Sequence, residues 1–110
     1  MATVFKNKLA SALGVDEVLV LTSASNAKTT VVGLSLTNLT SSMALASIRL
    51  VDTVEDTSAY YAKEVIVPPN QSLRVVNGGE RLVLGPSTAI YIQSNLSASL
   101  DLVLSYVEIN

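Results

Sequence analysis

Apolar and polar residues alternate with period two along most of this chain. Val32, Leu34 and Leu36 interleave with Gly33, Ser35 and Thr37, and Ile48 and Leu50 with Ser47 and Arg49. Leu73 and Val75 alternate with Ser72 and Arg74, Leu82 and Leu84 follow Arg81, and Ile90 and Ile92 alternate with Ala89, Tyr91 and Gln93. A pleated strand sends successive side chains to opposite faces, so each run has one face to bury and one to expose. Val, Ile, Thr and Tyr fill these windows, and they suit a half-buried sheet.

Turn chemistry separates the runs. Thr40-Ser41-Ser42, the stretch Asp52–Ser58, Gly85-Pro86 and Ser94-Asn95 break the pattern. Pro68-Pro69-Asn70 ends another run, because proline donates nothing to a ladder. Asn77-Gly78-Gly79 offers the positive φ values of a tight hairpin, and no helix or Gly-Lys-Ser/Thr ending follows it to make a phosphate loop. Strands are expected at 16–22, 29–38, 44–51, 59–67, 71–76, 80–84, 87–93 and 99–108. The fold expected is all-β: an antiparallel two-sheet β-sandwich or jelly roll of about eight strands with an N-terminal arm. Its core is expected to hold Val18, Val20, Val32, Leu34, Leu36, Ile48, Leu50, Leu73, Val75, Leu82, Leu84, Ile90, Ile92, Leu102 and Leu104.

At 110 residues the chain can build one core. Residues 16–110 read as a single sandwich domain, and 1–15 as an N-terminal arm or edge strand. Phe5, Leu9 and Leu13 recur every four residues and would also suit a short helix capped by Gly14. The extended reading is preferred because Thr3-Val4-Phe5 is strand-like. The last strand is apolar on both faces, with Leu100, Leu102, Leu104 and Tyr106 on one and Val103, Val107 and Ile109 on the other. Such a strand is central in its sheet or lies under a second layer.

Composition narrows the chemistry. The chain has no Cys and no His, which removes disulfides, thiolate sites, the commonest general base and the commonest transition-metal ligand. Carboxylate, serine and lysine chemistry would remain, and an enzyme is the least supported class. No cofactor is expected. Net charge is −2 with no basic run, which gives a nucleic-acid backbone nothing to bind. No apolar stretch approaches the ~20 residues of a membrane span. Met1–Lys8 has no apolar segment behind its charges, so synthesis in a cytoplasm without a secretory leader is expected.

Three further features have plain readings. Asp52, Glu55 and Asp56 are the densest carboxylates, but they match no EF-hand spacing and read better as a solvated acidic turn than as a cation site. The sequons at Asn38, Asn70 and Asn95 read as turn residues. Tyr60 and Tyr61 must point to opposite faces, one inward and one toward solvent.

A resemblance joins these pieces. Ala2–Lys6, Thr30–Asn38, Val67–Leu73, Asn77–Leu84 and Leu102–Ile109, in that order, make the chain look like the small single-domain β-sandwich virion proteins of tailed bacteriophages, cyanophages in particular. The resemblance spans nearly the whole chain and rests on pattern and turn placement. It implies a non-enzymatic virion component, such as a capsid decoration or cement protein or a neck- or tail-attached one. Such a protein would be a homo-oligomer docked on other virion proteins, and it carries over no catalytic residue. The alternative from another class is a carbohydrate- or receptor-binding module of a tail fibre, against which the absence of Trp counts.

The excess of apolar residues, 49% against 15% charged, supports an oligomer whose neighbours cover surplus surface. The candidate interface residues are Phe5, Lys6, Lys8, Tyr61, Val103, Val107 and Ile109. Two placements of the N-terminal segment stay open. In one, Phe5 enters a neighbour's pocket while Lys6 and Lys8 meet carboxylates such as Asp16 or Asp52. In the other, the segment is an edge strand with Phe5 in its own core.

Overall fold

The computed structural model describes residues 3–76 and 81–109; the expected Asn77-Gly78-Gly79 hairpin lies outside them. Nine strands are present: β1 (Thr3–Leu13), β2 (Val18–Thr22), β3 (Lys28–Asn38), β4 (Ala44–Asp52), β5 (Thr57–Val67), β6 (Ser72–Val76), β7 (Leu82–Leu84), β8 (Thr88–Ser94) and β9 (Leu100–Ile109). No helix forms among the described residues.

The strands build two antiparallel sheets. Sheet I has the order β1-β9-β3-β6, with β7 also on β3, and sheet II the order β2-β8-β4-β5. β6 and β7 lie along one side of β3, β6 on Leu34–Thr37 and β7 on Thr29–Val31, so they act as one interrupted strand. β4 and β5 are sequence neighbours that pair directly, whereas the links β1–β2, β2–β3, β3–β4, β5–β6, β7–β8 and β8–β9 each cross between sheets. That is jelly-roll connectivity. The N-terminal segment is neither helix nor free arm. It is the edge strand of sheet I, paired with β9 from Thr3 to Leu13.

The core between the sheets is aliphatic. Leu34, Leu36, Ile48, Leu84, Ile90, Ile92, Leu102 and Leu104 are buried as expected. Val20, Leu50, Leu73, Val75 and Leu82 pack partly buried against them. β9 is central in sheet I, and its inward face, Leu100, Leu102, Leu104 and Tyr106, is buried.

Val18 and Val32 depart from expectation, and a β-bulge explains Val32. An extra residue in one strand reverses the inside–outside parity of everything beyond it. In β3, Val31 faces Tyr106 and Gly33 faces Ser105, so Val32 is the extra residue and Val31 takes the core position. In β2 the register slips between Leu19 and Leu21, which puts Leu21 in the core; Val18, opposite the buried Ile92, is exposed because it is the first residue of a short edge strand. In β1 the slip falls between Ala10 and Leu13, where Ala12 has φ 53° and its N–H donates to Asp101 Oδ1 at 2.9 Å. Leu13 therefore turns inward although Phe5 and Leu9, on the same period, face out. Just beyond it the chain passes close to the β8–β9 turn: a Cβ on Gly14 would stand 3.2 Å from the Ala98 nitrogen.

Candidate interaction surface

The outward face of sheet I carries a row of side chains in register across four strands. Phe5 of β1 is opposite Val107 of β9, Val107 is opposite Thr30 of β3, and Thr30 is opposite Val83 of β7. Directly opposed residues of antiparallel strands share a face and lie within side-chain contact distance. Phe5 is 79% exposed and Val83 69%. A second row runs Leu9, Val103, Ser35, Arg74, with Leu9 72% exposed. Ile109 lies between Thr3 and Lys28 at the end of the same face. Between the rows, Asn7, Ser105 and Val32 line a shallow depression beside Phe5.

The structure thus brings together Phe5, Val103, Val107 and Ile109 and adds Leu9 and Val83. Leu9 was legible: residues four apart share a face in a strand as they do in a helix. Phe5 is not in its own core. Lys6 and Lys8 have the opposite parity and project from β1 toward a groove between β1 and β2 of about 400 Å³, near Tyr106 and Glu108. Lys6 Nζ lies 3.4 Å from Glu108 Oε1 of its own chain, rather than meeting Asp16 or Asp52.

Tyr61 does not belong to this surface. It is half-buried on sheet II and packs against the core, whereas Tyr60 is the exposed ring of the pair. Tyr60 starts a row on the outward face of sheet II, followed by Arg49, Tyr91 and Leu19. Arg49 grips Glu17 through two hydrogen bonds of 2.8 and 2.6 Å, and its guanidinium sits 5.0 Å from the Tyr91 ring centroid. The Arg49 hydrogen bond holds the Glu17 carboxyl below its ordinary range, and the same bond raises Arg49. Lys63 Nζ stands 4.3 Å from the Tyr60 centroid. One face of each ring thus already meets a cation, and a sugar stacking on that face would have to displace it.

The remaining candidates serve the fold. Asp52 Oδ1 accepts the N–H groups of Val54 and Glu55, closing its turn, and no group of three metal-ligating side chains occurs among the described residues. Asn38 is buried, donates from Nδ2 to the carbonyls of Ser42 and Val67, and accepts at Oδ1 from the Thr40 N–H and hydroxyl. Its amide is engaged at both ends and is closed to a glycan. A Ser-x-x-Lys motif, which is not expected in this chain, is in fact present at Ser25-Asn26-Ala27-Lys28, but it runs through a turn into β3 rather than along a helix. Neither the protein-family models nor the curated proteins contain a match to this chain.

Proposed function

We propose that this chain is a non-enzymatic structural component of a tailed-phage virion that self-associates through the outward face of sheet I and docks onto the particle. The observation that carries the self-association is the register-matched row Phe5–Val107–Thr30–Val83, with Leu9 and Val103 beside it. Apolar residues gathered in this way on one sheet face mark an interaction surface rather than scattered exposure. A second copy laid face to face would cover them in an isologous contact. The virion assignment rests on the resemblance of the sequence. The carbohydrate-binding alternative draws on Tyr60 and Tyr91, and the cations over both rings weigh against it.

Sedimentation velocity of the full chain over a wide concentration range tests the first part. A discrete oligomer is expected, and a monodisperse monomer at millimolar concentration overturns it. Antibody labelling of purified particles from the source lysate tests the second part. Label at a repeated position is expected, and particles free of the chain overturn the virion role.

A further inference from the structure

We propose that the free edge of β1 receives an extended strand from another protein, a strand in which apolar and acidic residues alternate. Unpaired N–H and C=O groups along an exposed edge are a template for strand addition, and folded proteins usually blunt such edges. Three of the four sandwich edges are blunted. β2 has five residues, the β6–β7 side is split into strands of five and three, and β5 is bulged, with two register slips and Glu64 at φ 52°. β1 differs: it pairs with β9 without a slip from Thr3 to Ala10, and its other side is unpaired among the described residues.

The chemistry of β1 defines the occupant. An added strand continues the pleat, so alternate side chains lie beside Phe5 and Leu9 on the outward face. Those positions call for apolar residues. The intervening side chains enter the groove beside Lys6 and Lys8. Glu108 already engages Lys6, so two lysines face one carboxylate and the groove keeps a positive balance centred on Lys8. Those positions call for Asp or Glu.

A second copy fits poorly in the register that pairs Phe5 with Leu9. Antiparallel self-pairing centred on Asn7 would match Phe5 with Leu9 but set Lys6 opposite Lys8, and like charges directly opposed are destabilising. No described strand of this chain alternates two carboxylates with apolar residues along a free edge: Asp101 and Glu108 lie in central β9, and Glu64 stands next to Lys63 at the β5 bulge. The backbone edge of β1 is distinct from the outward face, although both involve Phe5 and Leu9, and strand addition does not require self-association.

The test uses the full chain and three dye-labelled nine-residue peptides: one alternating Val and Glu, one alternating Val and Lys, and a scrambled Val/Glu peptide. Fluorescence anisotropy should detect binding of the alternating Val/Glu peptide and weaker or no binding of the other two. Amide hydrogen exchange should show new protection confined to residues 3–13. Lys8→Glu, an exposed change checked by circular dichroism, should weaken the Val/Glu peptide roughly three- to thirtyfold and strengthen the Val/Lys peptide. Absence of Val/Glu binding at millimolar concentration, equal binding of the scrambled peptide, protection elsewhere, or indifference to Lys8→Glu would each overturn the proposal.

Discussion

Phe5 and Val107 stand opposite each other on the outward side of sheet I, and the phenylalanine, the chain's single one, is 79% exposed. A ring left in water contributes little to the stability of its own domain. Burying it under a partner would be worth about 1.5–3 kcal/mol.

The two roles separate under mutation. Phe5→Ser should leave the melting temperature of the isolated chain nearly unchanged, because surface substitutions of this kind move stability by about 0.5 kcal/mol or less. The same change should weaken self-association at least about tenfold, read from sedimentation equilibrium. Unchanged association together with a large loss of thermal stability would place Phe5 in the fold rather than the interface.

Glu17 and Arg49 give a pH dependence with a definite sign. The Arg49 hydrogen bond lowers the Glu17 carboxyl from its ordinary value of 4.5. A carboxylate depressed in the folded state adds stability above its unfolded pKa and loses it as pH falls through the folded pKa. Wild type should therefore exceed Glu17→Gln in melting temperature at neutral pH, and the gap should close below pH 4.5. The pair is partly exposed, with 27% and 29% of the side chains accessible, so the gap is small and shrinks in high salt. A gap that widens on acidification would contradict the assignment.

Sequence periodicity reached the strands and the sandwich because burial of one sheet face repeats every second residue. It did not reach the bulges at Ala12, Val20 and Val32, where local register slips swap faces. Gly33 was a readable signal for one of them, since a glycine inside a strand often marks a bulge. The outward apolar row was half legible: Phe5, Val103, Val107 and Ile109 stand out by parity. Val83 joins only through the pairing of β7 with β3, a contact between residues more than fifty apart in sequence. Tyr61, a candidate interface residue by sequence, takes the inner place and Tyr60 the outer, because parity gives two faces without saying which is inside.

Asn38 should be among the least replaceable polar residues. Its amide satisfies the Ser42 and Val67 carbonyls at 2.7 and 3.0 Å and accepts from the Thr40 N–H at 2.9 Å. Asn38→Ala would strand these groups at a loss of about 2–3 kcal/mol. Asn38→Asp keeps the acceptor but turns a carboxylate toward two carbonyl oxygens, and it should be at least as damaging near neutral pH. Urea unfolding with an unchanged slope and a lower midpoint is the expected result. Wild-type midpoints for both variants would show that the network contributes nothing.

Thr29 points to a change in the opposite direction. It lies on the inward side of β3, fully buried, opposite Leu84 of β7, and its hydroxyl finds no hydrogen-bond partner. A hydroxyl taken out of water without a partner costs about 1–3 kcal/mol by mutational measures. Valine has nearly the same shape, prefers the same extended backbone, and would place a methyl group where the oxygen now sits. Thr29→Val should therefore raise stability by about 1 kcal/mol, the lower end of that range. For a chain of this length that is a rise of roughly 4–8 °C in melting temperature. Thr29→Ser keeps the orphaned hydroxyl and removes a methyl, so it should fall below wild type. Calorimetry on the three proteins decides the point. The order valine, threonine, serine is expected, and a valine variant less stable than wild type would overturn the prediction.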